Sequence, residues 1–178
     1  MKSLGVMQEY IPEFKSVVGQ MQFDLFHTYT VDEHTFKVVR NMRQMKLNKQ
    51  TGFELEHELI NKLPKIEILY VAGLFHDLGK GKGGDHSEIG AKTSKRFAKR
   101  LGMSKTDADL ISWLVKKHLK MSSISQKKDI GDPNTVNEFA SVVESSEKLD
   151  YLYLLTINDI RATNPALWNG WKLSLIHI

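Results

Sequence analysis

The chain has 178 residues, a formal net charge of +4 and no cysteine, with 41 % hydrophobic and 26 % charged residues. Its length suits one domain with a substantial core, and the lack of cysteine excludes disulfides and thiolate metal sites. That lack fits a reducing cytoplasm, which is the location we expect. No apolar run approaches the ~20 residues of a membrane span, and residues 4–8 are too short and too soon polar for the core of a signal peptide. Aromatic residues are not interleaved with basic ones. We therefore expect neither a membrane nor a nucleic acid as partner.

The first third of the chain predicts short helices followed by a long one. Segment 3–21 predicts one or two short helices broken at Pro12, and no run of alternating β-branched residues predicts a strand. A capping-box motif at 30–33 opens a longer helix, and a weaker helix follows over 54–62. The residues that share one face of the longer helix are Val31, His34, Val38 and Met42 or Met45.

The middle of the chain contains its most apolar segment. The run 65–78 is apolar on almost every side, which predicts a helix in the centre of the fold with Gly79 as its C-terminal cap. A basic, glycine-rich loop over 80–85 leads into a helix over 86–101, and Gly102 is expected to close that helix.

The C-terminal part predicts three further helices. A second capping box at 104–107 opens a helix to about residue 119, and 122–132 is polar and turn-like. Pro133 suits the first turn of a helix that ends near 145. Segment 147–162 predicts a second interior helix, ended by Asn164-Pro165.

The domain organisation follows from this series of helices. No repeat, low-complexity tract or long linker divides the chain, so we predict a single all-α domain over 1–178, built as a helical bundle. The final residues, 174–178, stop in mid-pattern and are interpreted as a truncation or a foreign tail.

A His-Asp pair beside the apolar run indicates a metal site. His76 and Asp77 would be costly to bury unless something satisfies them, and a bound metal does so. Asp159 lies in the second interior helix and His34 lies one turn into its own helix. Taken alone, His34 is better explained as a hydrogen-bonded core residue, and Asp159 is as well explained by a cap or by pairing with Arg161. Together the four favour a metal centre assembled from several helices.

Three segments carry a resemblance to a known family, namely 24–35, 74–87 and 159–165. They resemble the HD-domain phosphohydrolase superfamily, whose members are all-helical, metal-dependent enzymes that hydrolyse phosphomonoesters and phosphodiesters. The residues that match its H…HD…D metal signature are His34, His76, Asp77 and Asp159. The wider context resembles the HD domain of bifunctional uridylyltransferase/uridylyl-removing enzymes over about 5–172.

The resemblance implies a helical bundle with a central metal site and a specific reaction. That reaction is hydrolysis of the phosphodiester that joins UMP to a tyrosine of the PII signalling protein, with UMP as product and uridylylated PII as partner. It implies Mn²⁺ as the metal, with Fe²⁺, Co²⁺, Zn²⁺ and Mg²⁺ as alternatives. The nucleotidyltransferase and ACT domains of the full enzyme are not recognised here, so we expect neither UMP addition nor glutamine control.

A second ion and a substrate contact are also expected. His86 and His118 are candidate ligands of a second ion, with Asp77 bridging the two; a helix cap or substrate contact is the alternative for His86, and an exposed surface position for His118. Lys80 is the candidate for neutralising the phosphate in the transition state, next to Asp77 in the catalytic machinery. Arg161 either contacts substrate or pairs with a carboxylate.

Asp85 in the loop before the 86–101 helix is interpreted either as a support for a ligand histidine or as a loop cap. Two other functions stay open from the sequence. One is a standalone HD phosphohydrolase acting on free or cyclic nucleotides. The other is a non-catalytic module that binds metal or PII.

Overall fold

The computed structural model is helical in the residues that it describes, as predicted. It describes residues 5–21, 29–48, 50–129 and 131–163. Within those residues the only pairing of extended backbone is an isolated bridge between Met21 and Thr30. None of the helices among them is long and apolar enough to cross a bilayer. The predicted helix end at 164–165 and the tail at 174–178 lie outside the described residues.

The helical elements follow one another with short connections. In chain order they are α1 (Val6–Tyr10), a 3₁₀ helix (Pro12–Val17), α2 (Val31–Leu47), α3 (Glu54–Lys62), α4 (Ile66–Phe75), α5 (His86–Arg100), α6 (Lys105–Lys127), α7 (Pro133–Val143) and α8 (Ser146–Thr163). The break at Pro12 separates α1 from the 3₁₀ helix, because proline lacks the N–H that a continuing helix needs.

The two helices predicted to be interior occupy the centre of the bundle. α4 packs against α2, α5, α6 and α8, and α8 packs against α2, α3, α4, α6 and α7. Leu69 and Ala72 of α4 and Leu152 and Leu155 of α8 are completely buried. Burial of apolar surface contributes about 25 cal/mol per Å², so these two helices anchor the core. Side chains at their inner ends are therefore held firmly.

The helix α2 starts at the predicted residue, but the hydrogen bonds at its start differ from those of the predicted capping box. Thr30 occupies the N-cap position with an extended backbone, yet its side chain makes no capping hydrogen bond, so that part of the predicted capping box is wrong. The N–H of Val31 donates instead to the carbonyl of Gln20 at 2.9 Å. The N–H of Gly19 donates to Oδ1 of the buried Asp32 at 3.2 Å. The segment before α2 thus satisfies the helix start.

The end of α4 differs from the prediction. The helix ends at Phe75 rather than near 78, and residues 76–81 form successive tight turns. Gly79 has no positive φ, so it is not a left-handed cap. A Cβ on Gly79 would lie 2.1 Å from the carbonyl oxygen of His86, so this glycine permits the start of α5 to approach the loop closely.

The helix α6 extends well beyond the predicted end at 119. Met121 and Ile124 continue its buried stripe, and the hydroxyls of Ser122 and Ser125 donate to carbonyls three residues earlier. The polar composition of 122–127 therefore lies on a helix rather than in a turn. The predicted cap at its start is confirmed, because the Ser104 side chain accepts from the N–H of Asp107 at 3.1 Å.

The antiparallel pair α5–α6 is closed by Gly102, which has a φ of 76°, as predicted. Gly90 of α5 lies against the end of α4, where an added Cβ would be 3.0 Å from the carbonyl oxygen of Phe75. Since a larger residue would push the two helices apart, Gly90 sets how near α5 comes to the His76-Asp77 turn.

Candidate metal centre

Four polar side chains from three parts of the bundle converge at the inner end of α4. His34 comes from the second turn of α2, His76 and Asp77 follow α4 directly, and Asp159 comes from α8. Nε2 of His34 lies 3.1 Å from Nε2 of His76 and 2.9 Å from Oδ1 of Asp159. Oδ2 of Asp77 lies 3.3 Å from Nε2 of His76 and 3.6 Å from Nε2 of His34. We call these four residues the first cluster.

The spacing in the first cluster fits a bound cation. Ligand atoms about 2.1 Å from an ion, at tetrahedral or octahedral angles, lie about 3.0–3.4 Å from one another. The separations that involve the His34 or His76 nitrogens are 2.9–3.6 Å and span that range. His34, His76 and Asp77 are buried, so without a cation two imidazole nitrogens would face each other in the interior. Imidazole and carboxylate donors suit divalent transition metals.

Backbone carbonyls orient two of the histidines. Nδ1 of His76 donates to the carbonyl of Gly73 at 2.8 Å, and Nδ1 of His118 donates to the carbonyl of Val115 at 2.8 Å. A ring whose Nδ1 carries the donated proton presents a lone pair at Nε2 when it is neutral. Both Nε2 atoms face Asp77. These two carbonyls were not anticipated from the sequence, because the hydrogen bond depends on the rotamer of the ring.

A second group shares Asp77 with the first. Oδ1 of Asp77 lies 3.8 Å from Nε2 of His118, while Oδ2 faces the first cluster. One ligand atom each from Asp77, His86 and His118 lies within 4.8 Å of the others, and the rings of His86 and His118 are 5.5 Å apart. This second group has the arrangement in which a carboxylate can bridge two ions. His118 is buried inside α6, so the surface alternative considered for it is wrong.

The electrostatics of the site follow from its burial and its carboxylates. Burial lowers the pKa of His76, but Asp77 and Asp159 outweigh burial and raise it to about 10. Burial raises the pKa of Asp77, but the charges of His76 and Lys80 hold it well below its usual value. Burial and the charge of His76 lower the pKa of His118 to about 4. A cation in the first cluster must therefore displace a proton, whereas His118 is already neutral at pH 7.

Lys80 and Asp159 are the more accessible members of the site. Nζ of Lys80 lies 2.6 Å from Oδ2 of Asp77, and the lysine side chain is 13 % exposed. The side chain of Asp159 is 18 % exposed, against 3 % or less for His34, His76 and Asp77. Solvent therefore reaches the site on the side of Lys80 and Asp159.

The loop before α5 decides between the two roles predicted for Asp85 and leaves both roles predicted for His86 open. The carboxylate of Asp85 accepts from the N–H of Ser87 at 2.9 Å, so Asp85 caps α5, which was one of its two predicted roles. His86 is the first residue of α5, is half-buried, and has a pKa lowered by burial. It is thus placed to offer an imidazole to the second group.

Arg161 is not brought to the site. Its guanidinium donates to Oε1 of Gln50 at 2.9 Å and lies 4.0 Å from the ring centroid of Phe53. Two residues along a helix turn a side chain by about 200°, so Arg161 faces away from Asp159. Burial lowers the pKa of Arg161 and the charge of Glu56 opposes that shift, so a carboxylate interacts with Arg161, and the substrate contact stays a prediction.

Comparison with known proteins identifies the family to which the chain belongs. The profile of the HD domain family matches residues 31–157, and the chain belongs to that family. More particularly, the chain is similar to proteins named bifunctional uridylyltransferase/uridylyl-removing enzyme. Those from Pseudomonas fluorescens, Ectopseudomonas mendocina and Pseudomonas putida are each 49 % identical over 177 residues, which is 99 % of this chain. The chain spans 20 % of the length of each relative. Family and relatives support the prediction of a metal-dependent hydrolase.

Proposed function

We propose that the chain is a metal-dependent phosphodiesterase that removes UMP from a uridylylated tyrosine of a PII-type protein. The observation that carries the proposal is the convergence of His34, His76, Asp77 and Asp159, with the second oxygen of Asp77 turned to His118. The similarity to uridylyl-removing enzymes across 99 % of the chain supports the choice of substrate. A cytoplasmic location stays a prediction of the sequence.

Each side chain of the site has a defined task in this reaction. The first cluster would hold one divalent ion, for which we propose Mn²⁺, and His86 and His118 would hold a second with Asp77 between them. Such an ion supplies Lewis acidity, which lowers the pKa of water and neutralises phosphoryl charge. His76 is kept in the required tautomer by the carbonyl of Gly73. Burial of the ligands keeps their arrangement fixed.

Lys80 acts on the phosphate. Its ammonium lies at the accessible side of the site beside Asp77, where it can neutralise negative charge on the phosphoryl oxygens as the transition state forms. The hydroxyl of the attacking water stays on phosphorus, the P–O bond to tyrosine breaks, and the water's proton goes to the phenolate. A phenol has an ordinary pKa near 10, so it is a good leaving group.

The test is release of UMP from uridylylated PII by the purified chain with Mn²⁺. Replacing His76 with glutamine should lower the rate at least about 100-fold, because a ligand of the first cluster is lost. The matched control is His57→Gln: Nδ1 of His57 bonds the carbonyl of Met45, and His57 belongs to neither ligand group. It should keep nearly the full rate.

Two outcomes would contradict the proposal. Turnover of free or cyclic nucleotides, without release of UMP from the protein, would favour a nucleotide hydrolase. A chain that purifies without metal and whose melting temperature ignores added Mn²⁺ would favour a non-catalytic module, because a ligand that binds the native state must raise its stability.

A further inference from the structure

A basic groove runs along α5 away from the metal centre. It has a volume of about 500 Å³, and the residues that line it are Ile89, Lys92, Thr93, Lys95, Arg96 and Lys99. Ile89 lies three residues after His86, so the groove begins about 4.5 Å along the helix axis from the second group. The last lining residue lies about 15 Å further along the axis. We call this surface the α5 groove.

Four cations line the α5 groove, and among the described residues one of the four is held in an ion pair. Lys95 makes an ion pair with Asp109. In the described part of the chain, Lys92, Arg96 and Lys99 make none. They are exposed and spaced four and three residues apart, so they share one face of the helix and repel one another.

We propose that the α5 groove docks an acidic surface of the protein whose tyrosine carries the phosphodiester. This proposal rests on the proposed function, since a protein substrate must contact the surface around the site. Unpaired cations next to the site attract an acidic partner and align it before the chemical step. Ile89, at the end nearer His86, offers an apolar contact.

Two other occupants fit the groove less well. No aromatic side chain lines it, so it has no platform on which the bases of a single-stranded nucleic acid could stack. A second copy of this chain carries a net charge of +4, so the two copies would repel each other. An acidic protein surface is complementary to the groove in charge and needs no stacking platform.

The experiment measures binding and chemistry separately. Binding of uridylylated PII to the chain is measured in EDTA, where no turnover occurs, at low and at high salt. The test variant is Lys92→Glu/Arg96→Glu. The matched control is Arg40→Glu/Lys127→Glu, which reverses one arginine and one lysine that are also exposed, on α2 and α6. Hydrolysis of a small uridylyl ester of tyrosine, with Mn²⁺, is measured for the same proteins.

We expect the test variant to bind uridylylated PII at least about tenfold more weakly and with less salt dependence. The control should stay within about twofold, and both variants should hydrolyse the small ester like the parent. If the test variant fails to fold, Lys92→Gln/Arg96→Gln takes its place, with the same expected direction.

Equal binding by the test variant and the parent would overturn the docking proposal, as would the absence of any binding by the parent. It would also be overturned if an RNA oligonucleotide bound as tightly and lost affinity in parallel, since that marks a nucleic-acid surface. Failure of the parent to hydrolyse the small ester would instead count against the proposed function, and the binding data would still decide the role of the groove.

Discussion

The first cluster and the second group differ in how the fold holds them. The first is built by α2, α4 and α8, and its two histidine nitrogens lie 2.9–3.6 Å from the other ligand atoms. The second depends on the first residue of α5 and on α6, and Nε2 of His118 lies 3.8 Å from Oδ1 of Asp77. His86 is only half-buried, whereas His34 is 1 % exposed. Ligands on interior helices are positioned in advance, while a ligand next to a loop can adjust. The first cluster should therefore bind an ion more tightly.

The largest effect should come from the residue that both groups share. Asp77→Asn removes charge from both oxygens, one facing each group, so we expect loss of metal from both and at least about a 1,000-fold lower rate. Elemental analysis with kinetics would check this. Asp109→Asn, which breaks a surface pair with Lys95, is the control and should leave both quantities unchanged. Retention of metal by Asp77→Asn would argue against a bridging role.

A substitution confined to the second group should lower the rate of hydrolysis less than Asp77→Asn does. His118→Gln removes one ligand beside Asp77 and leaves the first cluster intact, so we expect a rate about 10–100-fold lower that excess Mn²⁺ partly restores. Excess Mn²⁺ should not restore the rate of the His34→Gln variant. Titration of activity with Mn²⁺ distinguishes them, and identical behaviour of the two variants would show that the groups do not differ.

Metal binding should depend on pH differently in the two groups. The pKa of His76 is raised to about 10, so below that pH a cation in the first cluster must displace its proton. Affinity should fall by about a factor of ten for each unit by which pH decreases from 9 to 7. His118, whose pKa is lowered to about 4, should release no proton at neutral pH. Calorimetry in buffers of different ionisation enthalpy counts the protons, and a count near zero for the tighter ion would contradict this assignment.

The smallest effect should come from the loop between the groups. A Cβ on residue 79 would lie 2.1 Å from the carbonyl oxygen of His86, so Gly79→Ala should shift the start of α5 and cost about 1–3 kcal/mol. Melting temperature and Mn²⁺ titration would show lower stability and weaker binding of the second ion. Gly84→Ala is the control. Residue 84 has a φ of 79° with nothing within 4 Å, so alanine there is strained without moving α5. If both variants bind metal alike, Gly79 has no part in positioning His86.

The helices that the sequence predicts best are those whose signal is local. The cap at Ser104 and the apolar runs of α4 and α8 depend on neighbours in the chain, and the structure confirms them. The contacts that the sequence did not reveal depend on distant partners. The N–H at the start of α2 bonds Gln20 rather than a capping side chain, and Arg161 packs on Phe53, which no spacing along α8 could reveal.

The order of histidines and aspartates was enough to indicate an HD-type metal site, because those residue types need a compensating partner when they are buried. The sequence could not show which atoms of these residues lie together. Oδ1 and Oδ2 of Asp77 face different groups only because α4 stops at Phe75 and the chain turns towards α5. Gly79 and Gly90 permit that turn and approach, since a side chain at either would press on a backbone carbonyl. Amino-acid types set which chemistry is available, and packing between helices sets which atoms share it.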